Sequence, residues 1–295
     1  MGKTLERIGL GVAVVLVCIW VIFPIAWMFS LSLQPEDQIH SAPPYLIPSP
    51  PTYFNYWFAF DSETASKARL EESGRISFLP AVAKALPNAI VNSTLIGLTI
   101  VAINVFAATL ASYTFTRVRF RGSMALFYMS VMGRLIPPVA IVVPYYMIIK
   151  QLGLLDTVAA VIMIHTAFTL PINIWILNTF LATVPEDIED AARVDGYSRL
   201  ETLFKVVFPV IKPAIVAIGI FAFMLSWGEF FFAFVVTQTA ASRTIPVIIG
   251  FMSAQPYKPV GIIMAAGIVT MIPALIIVAI FRRYLIRGLV AGAVR

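Results

Sequence analysis

Charge is scarce in this sequence. Only 12% of its 295 residues are Asp, Glu, Lys or Arg, while 60% are hydrophobic. A soluble domain carries roughly 25% charged residues, so that class is excluded for the body of the chain. Cysteine occurs once, at Cys18, which excludes an intramolecular disulfide and any cysteine-based metal cluster. Histidine occurs twice, His40 in a polar stretch and His165 in an apolar one, with no acidic cluster beside either. No metal site is therefore expected, and His165 reads as a hydrogen-bonded packing residue. No G-x-x-x-x-G-K-[ST] run is present, so the chain does not hydrolyse ATP through a P-loop. Gly2-Lys3-Thr4 repeats only the end of that motif, without the upstream glycine or a strand before it. H-E-x-x-H and G-x-S-x-G are absent too, which argues against a membrane-embedded hydrolase.

What the chain has instead is apolar runs of about 20 residues, the length that crosses a hydrocarbon core as a helix. They predict an all-α membrane protein with six transmembrane helices in one domain over residues 1–295. The spans fall at about 8–33, 88–113, 123–149, 157–181, 214–237 and 260–281. The charged start resembles a signal peptide, but its apolar part is too long and lacks an A-x-A site, so an uncleaved first span is expected. Pro137, Pro138 and Pro144 interrupt the third span and Pro171 the fourth. Residues 34–85 form a polar insert, first rich in Pro and aromatics, then in mixed charges. It reads as an external cap, suited either to meeting a soluble partner or to covering helix ends.

Six spans put both termini on one side. That side holds Lys3 and Arg7; Arg117, Arg119 and Arg121; Arg193, Arg199, Lys205 and Lys212; and Arg282, Arg283, Arg287 and Arg295. The other side holds Lys67, Arg69, Arg75, Lys84, Lys150, Arg243 and Lys258, spread over longer loops. The positive-inside rule assigns the first group to the cytoplasm, which accounts for the net charge of +6 without invoking nucleic acid.

The most informative stretch is 183–213, TVPEDIEDAARVDGYSRLETLFKVVFPVIKP, where acids and bases alternate between two apolar segments. Thr183 and Glu186 read as a T-x-x-E capping box with Pro185 in the first turn. Glu186, Asp187, Glu189 and Asp190 load the positive end of the helix dipole. Asp195-Gly196 supplies a turn, and Ser198-x-x-Glu201 a second box ahead of a stripe of Leu200, Leu203, Phe204 and Val207. Pro209 and Pro213 are expected to end this second helix. Ala191 and Ala192 leave room for another protein to approach the backbone. The whole reads as a helix–turn–helix elbow outside the membrane.

E-D-A-A-R-V-D-G followed by F-P-x-x-K-P resembles the EAA loop of the permease subunits of binding-protein-dependent ABC sugar importers, maltose-type. The family usually has Glu where this chain has Asp190, which keeps the charge and shortens the reach. The tail, with Arg287-Gly288, is similar to the ending of the shorter, six-span permease type. The resemblance implies a type I ABC importer permease fold, with Glu186, Glu189, Asp190, Ala191, Ala192, Asp195 and Gly196 in a cytoplasmic coupling helix. It implies that Arg287 and Gly288 reach toward the ATPase. It further implies a bacterial inner-membrane heterodimer with a second homologous permease, two ATPase subunits and an external solute-binding protein that delivers a sugar or sugar derivative. ATP and Mg would be bound by the ATPases, with no cofactor in this chain.

Two ionisable residues fall inside spans, Arg134 in the third and Glu229 in the fifth. Each is costly there and should face the protein or a watery path. Ser226-Trp227-Gly228-Glu229-Phe230-Phe231 resembles the W-N-E-F run of sugar permeases, which makes Trp227, Glu229 and Arg134 candidates for the translocation path. An internal Arg134–Glu229 pair is the structural alternative, and Arg134 attracting an anionic sugar derivative a third. The pair also supports the runner-up function, a stand-alone secondary carrier using it as a charge relay. Asn92, Asn104, Asn173 and Asn178 are placed to hydrogen-bond between helices.

Overall fold

The computed structural model describes residues 2–61, 85–118, 120–254 and 259–293, with side chains from 6 to 282 of these. Among the described residues every regular element is helical. The order is α1 (Gly2–Ser32), α2 (Glu36–Ile39), α3 (Phe54–Phe60), α4 (Leu86–Tyr113), α5 (Ser123–Met132), α6 (Pro138–Gln151), α7 (Val158–Leu181), α8 (Glu186–Val194), α9 (Arg199–Glu201), α10 (Phe208–Trp227), α11 (Phe231–Val236), α12 (Ile245–Ser253) and α13 (Val260–Ala293). Three tighter or wider turns extend these helices. Thr114–Val118 is a π-turn on α4, Gly133–Leu135 a 3₁₀ turn on α5, and Thr202–Val207 a π-turn leading into α10.

Among the described residues, five helical stretches are long and apolar enough to cross a membrane alone: Glu6–Ser32, Leu86–Val118, Val158–Leu181, Arg199–Trp227 and Val260–Arg282. The expected third span is a pair, Ser123–Leu135 and Pro138–Gln151, bent by 103°. The prolines explain the bend. Ile136 and Pro137 are extended, at ψ 126 and 136, because a residue before proline is pushed out of the helical region. Pro138 then starts α6, where its missing N–H is harmless. Pro171 lies within an unbroken α7.

The fifth span departs from expectation. Pro209 and Pro213 do not end the elbow's second helix; they lie in the opening turns of α10, which follows the π-turn without interruption. Pro209 sits in the first turn, where a missing N–H is tolerated, while Pro213 lies inside the helix. The far end is shorter than expected, since α10 stops at Trp227 and 231–236 is a separate helix.

The chain divides into two compact units. One comprises Met1–Pro87 and Ile248–Ile272. In it α1 lies exposed along its apolar length, and its far end is knitted to the start of the insert. Buried Asn55 on α3 donates to the carbonyls of Ser32 and Gln34 at 3.0 and 2.9 Å. The Thr52 N–H donates to Leu33 O at 2.7 Å, and Gln34 reaches Tyr45 O at 2.9 Å. Gly261 at the start of α13 packs so closely that an added Cβ would lie 2.5 Å from the Asn55 amide. The charged half of the insert lies outside the described residues.

The other unit comprises Asn88–Val247 and Pro273–Arg295. Its core brings together Ala108 and Tyr113 of α4, Phe127 of α5, Ile174, Leu177 and Leu181 of α7, Leu203 and Val207, and Ile211, Ala214, Ile215 and Ile218 of α10. A polar ladder crosses between α4 and α7. Asn104 donates to Thr169 at 3.1 Å, Asn173 to Asn104 at 2.9 Å, and Thr116 to Asn178 at 2.5 Å. Asn92 donates to Ala241 O at 2.8 Å. Asn104, Asn173 and Asn178 thus bond between the second and fourth spans as expected, whereas Asn92 ties its helix to the loop after α11. His165 is buried with its ring 6.5 Å from Phe168, but its Nδ1 has no partner among the described residues.

The turn between α6 and α7 carries a clasp that gives no sign in the sequence. Asp156 adopts φ 61, and its carboxylate accepts from Gln238 N at 2.7 Å, Thr239 N at 2.9 Å, Thr239 Oγ1 at 2.7 Å and Ser242 Oγ. Burial pushes this carboxyl up, but the hydrogen bonds from Ser242, Thr239 and Gln238 outweigh it and hold Asp156 well below the usual carboxylate range. A depressed folded pKa means the stabilisation is complete above the ordinary Asp value and is lost as pH falls through the folded one. The clasp should therefore hold across neutral and mildly acid pH. Asp156→Ala should cost about 2–3 kcal/mol, read as a lower unfolding temperature at pH 7, with a smaller difference from the parent at strongly acid pH.

Candidate coupling site

The elbow starts where α7 runs out. Ala182 caps α7, and the N–H groups of Thr183 and Val184 fold back onto Phe180 and Leu181. Pro185, extended at ψ 137, then opens α8. The expected Thr183–Glu186 box does not form. Pro185 occupies the N-cap itself, leaving Thr183 two residues too early, and the Thr183 hydroxyl donates to Phe180 O at 2.7 Å instead. The acids Glu186, Asp187 and Glu189 do sit in the first turn, where they favour the helix dipole.

The exit from α8 is a Schellman closure. Gly196 has φ 89, the Gly196 N–H donates to Arg193 O at 3.1 Å, and the Tyr197 N–H to Ala192 O at 3.1 Å. Glycine takes that φ without strain, where β-branched and most other side chains do not. Ser198 then forms the second capping box as expected. Its hydroxyl accepts from Glu201 N at 3.4 Å, and Glu201 Oε2 accepts from Ser198 N at 3.1 Å. Lys205 braces the corner, 2.9 Å from Glu201 and 5.1 Å above the Tyr197 ring.

The faces of α8 are sharply divided. Glu189 and Ala192 turn inward and are buried, whereas Glu186, Asp187, Asp190, Ala191, Asp195 and Gly196 are exposed. Of the two alanines expected to admit a partner, Ala191 alone is on the outer surface. Asp190 pairs with Arg193 of its own helix. Two apolar side chains also stand outward, Val194 at 87% and Leu200 at 61% exposed, on either side of the Gly196 turn. The stripe expected to be one face is split. Leu203 and Val207 are fully buried while Leu200 and Phe204 are exposed, because the π-turn shifts the helical register by a residue.

Beneath the inner face lies a cluster that sequence reasoning missed. Arg117, on the π-turn that ends the second span, contacts Glu189 Oε1 at 2.6 Å and Glu186 Oε1 at 3.4 Å. It also donates to Leu181 O at 3.2 Å and Val184 O at 2.6 Å. The Tyr113 hydroxyl donates to Glu189 Oε2 at 2.9 Å. The Arg117 and Glu189 side chains are 9% and 7% exposed, so the pair is well shielded from water.

The residues proposed for a path lie elsewhere in the same unit. Glu229 caps the short α11, accepting from Phe232 N at 2.7 Å and Ala233 N at 3.0 Å. Arg134, at the bend in the third span, donates to Phe168 O at 2.5 Å and stacks 3.8 Å from the Phe168 ring. Arg134 and Glu229 therefore do not pair. Trp227 is buried and stacked on Phe223, with ring centroids 5.2 Å apart. Arg287 and Gly288 fall on α13, where side chains lie outside the described residues.

These features define a multi-pass helical membrane protein that carries a capped helical elbow between its fourth and fifth spans. The family described as “Binding-protein-dependent transport system inner membrane component” matches residues 101–290, and the chain belongs to it. It is 31% identical to the trehalose/maltose transport system permease protein MalG of Thermococcus litoralis, over 99% of this chain and 98% of that one. It is 32% identical to the trehalose transport system permease protein SugB of Mycobacterium tuberculosis, over 94% of this chain and 93% of the relative. Its fold is that of a chain in the crystal structure of a bacterial ABC transporter involved in the import of the acidic polysaccharide alginate. That match has a TM-score of 0.77 at 18% identity and covers 96% of this chain and 98% of the other.

Proposed function

We propose that this chain is one of two membrane subunits of an ATP-driven importer in the cytoplasmic membrane, with α8 as the lever that receives the work of separate ATPases. The observation that carries this reading is the form of the elbow. A nine-residue helix is closed at its exit by a Schellman turn, followed by a formed capping box, and presents Val194 and Leu200 outward. Rigid closure suits a part that transmits motion, and an outward apolar pair beside a turn suits insertion into a partner's cleft. The basic residues flanking the elbow favour its cytoplasmic side, and with it both termini.

ATP binding and hydrolysis would be carried by the ATPases, whose closure moves α8 and alternates access through the spans. An external binding protein would deliver the cargo. Sugar or a sugar derivative is the class the relatives' names support, MalG and SugB being named for trehalose and maltose systems. The carrier alternative loses its motive, since Arg134 and Glu229 each have other partners. Reconstitution separates the two readings. Proteoliposomes containing the chain alone should show no uptake of trehalose or maltose against a gradient, and an ion-driven accumulation there would overturn the subunit reading.

A further inference from the structure

The inner side of the elbow poses a separate question. A helix that serves only to dock is already tied covalently to the fourth and fifth spans. The chain nevertheless places a buried ion pair between α8 and a third helix, the second span. Burying two charges is expensive, and apolar residues of the same volume would hold the fold as well. What an apolar contact lacks is fixed geometry. Here Arg117 uses its planar fork to hold four acceptors at once: Glu189, Glu186 and the carbonyls of Leu181 and Val184. Tyr113, one turn earlier on the same span, takes the other oxygen of Glu189. Both carboxylate oxygens of the lever's inward acid are thus held by the end of the second span.

We propose that Arg117 and Tyr113, by clamping Glu189, form a direct joint between the coupling helix and the end of the second span, so that the lever drives this span at its elbow end as well as through the polar ladder that ties it to the fourth. Arg117 is a positioning residue, acting on the spans through Glu189. The inference rests on the coupling role proposed for α8. Lysine cannot replace it fully, because an ammonium lacks the fork that reaches carboxylate and carbonyls together.

The test uses the assembled importer with a Cys18→Ser background and spin labels at Leu98→Cys on the second span and Met163→Cys on the fourth, both exposed positions. Label separation is measured by dipolar spectroscopy in the resting state and after trapping with ATP and vanadate. With Arg117 intact, the two spans travel together and the distance distribution is the same in both states. With Arg117→Gln, the resting distribution is unchanged, and trapping shifts it or broadens it by about twofold, while the ATPase stays bound and active. Arg117→Lys gives a smaller change. A purely structural role would broaden the distribution before nucleotide is added, and that result overturns the proposal, as do identical distributions in parent and variant. If Arg117→Gln does not assemble, Tyr113→Phe carries the test. It removes one hydrogen bond, keeps the ion pair, and should broaden only the trapped state; an unchanged trapped state there overturns the joint. ATPase that fails to co-purify with the unsubstituted chain would instead refute the docking role itself.

Discussion

Gly196→Val should abolish uptake while leaving the chain inserted in the membrane. The residue holds φ 89, where a β-branched side chain is strained by its own backbone. Beyond its two chain neighbours, no heavy atom lies within 4 Å of the position a Cβ would take, so packing contributes nothing to the effect. The cost is about 1–3 kcal/mol of backbone strain, too little to unfold a membrane bundle. It is enough to open the closure in which Tyr197 bonds Ala192 and so to change the angle at which α8 leaves the elbow. Uptake should fall by about tenfold or more, since a misplaced lever loses transmission and not merely strength. Gly196→Asn is the control, because asparagine tolerates this conformation, and it should retain most activity. Measuring uptake of the sugar held by the binding protein, with surface labelling to confirm insertion, checks both. Full uptake by the valine variant would contradict the lever.

Val194→Asp should release the ATPase. Val194 stands 87% exposed and Leu200, across the Gly196 turn, 61%, and neither belongs to the core beneath. A substitution in solvent rarely costs the chain more than a few tenths of a kcal/mol. Against a partner's apolar cleft, the same carboxylate would be desolvated without a counter-charge. Loss of such an anchor commonly weakens binding by about 2–4 kcal/mol, a loss of tens- to hundreds-fold in affinity. Co-purification of the ATPase with the variant, compared with Asp187→Asn on the same helix, reads this directly. The aspartate variant should lose the ATPase and the asparagine variant should keep it.

The elbow was legible because a chain so poor in charge concentrates acids, bases and Asp-Gly in one place, and each mark has a local physical meaning. The Ser198 box formed as its spacing implied. The Thr183 box did not, because Pro185 fills the N-cap that the motif assigned to threonine. The break in the third span was marked by its prolines, though its 103° angle was not. Long-range partners were out of reach. Arg117 meets Glu189 across 72 positions, so counting charges for topology treats it as one more solvated base. Asp156 meets its four donors more than 80 positions away. The π-turns hid the rest. By inserting a residue, Thr202–Val207 separates Leu200 and Phe204 from Leu203 and Val207, which an ideal helix would put on one face.

The most direct measurement places a photo-crosslinking residue at Val194 in the assembled importer within native membranes. If α8 is a cytoplasmic lever driven by a nucleotide-hydrolysing partner, irradiation joins this chain to the ATPase, and a membrane-impermeant reagent applied from outside does not reach the position. A crosslink to lipid or to the external binding protein, or labelling of Val194 from the outer side, would contradict it.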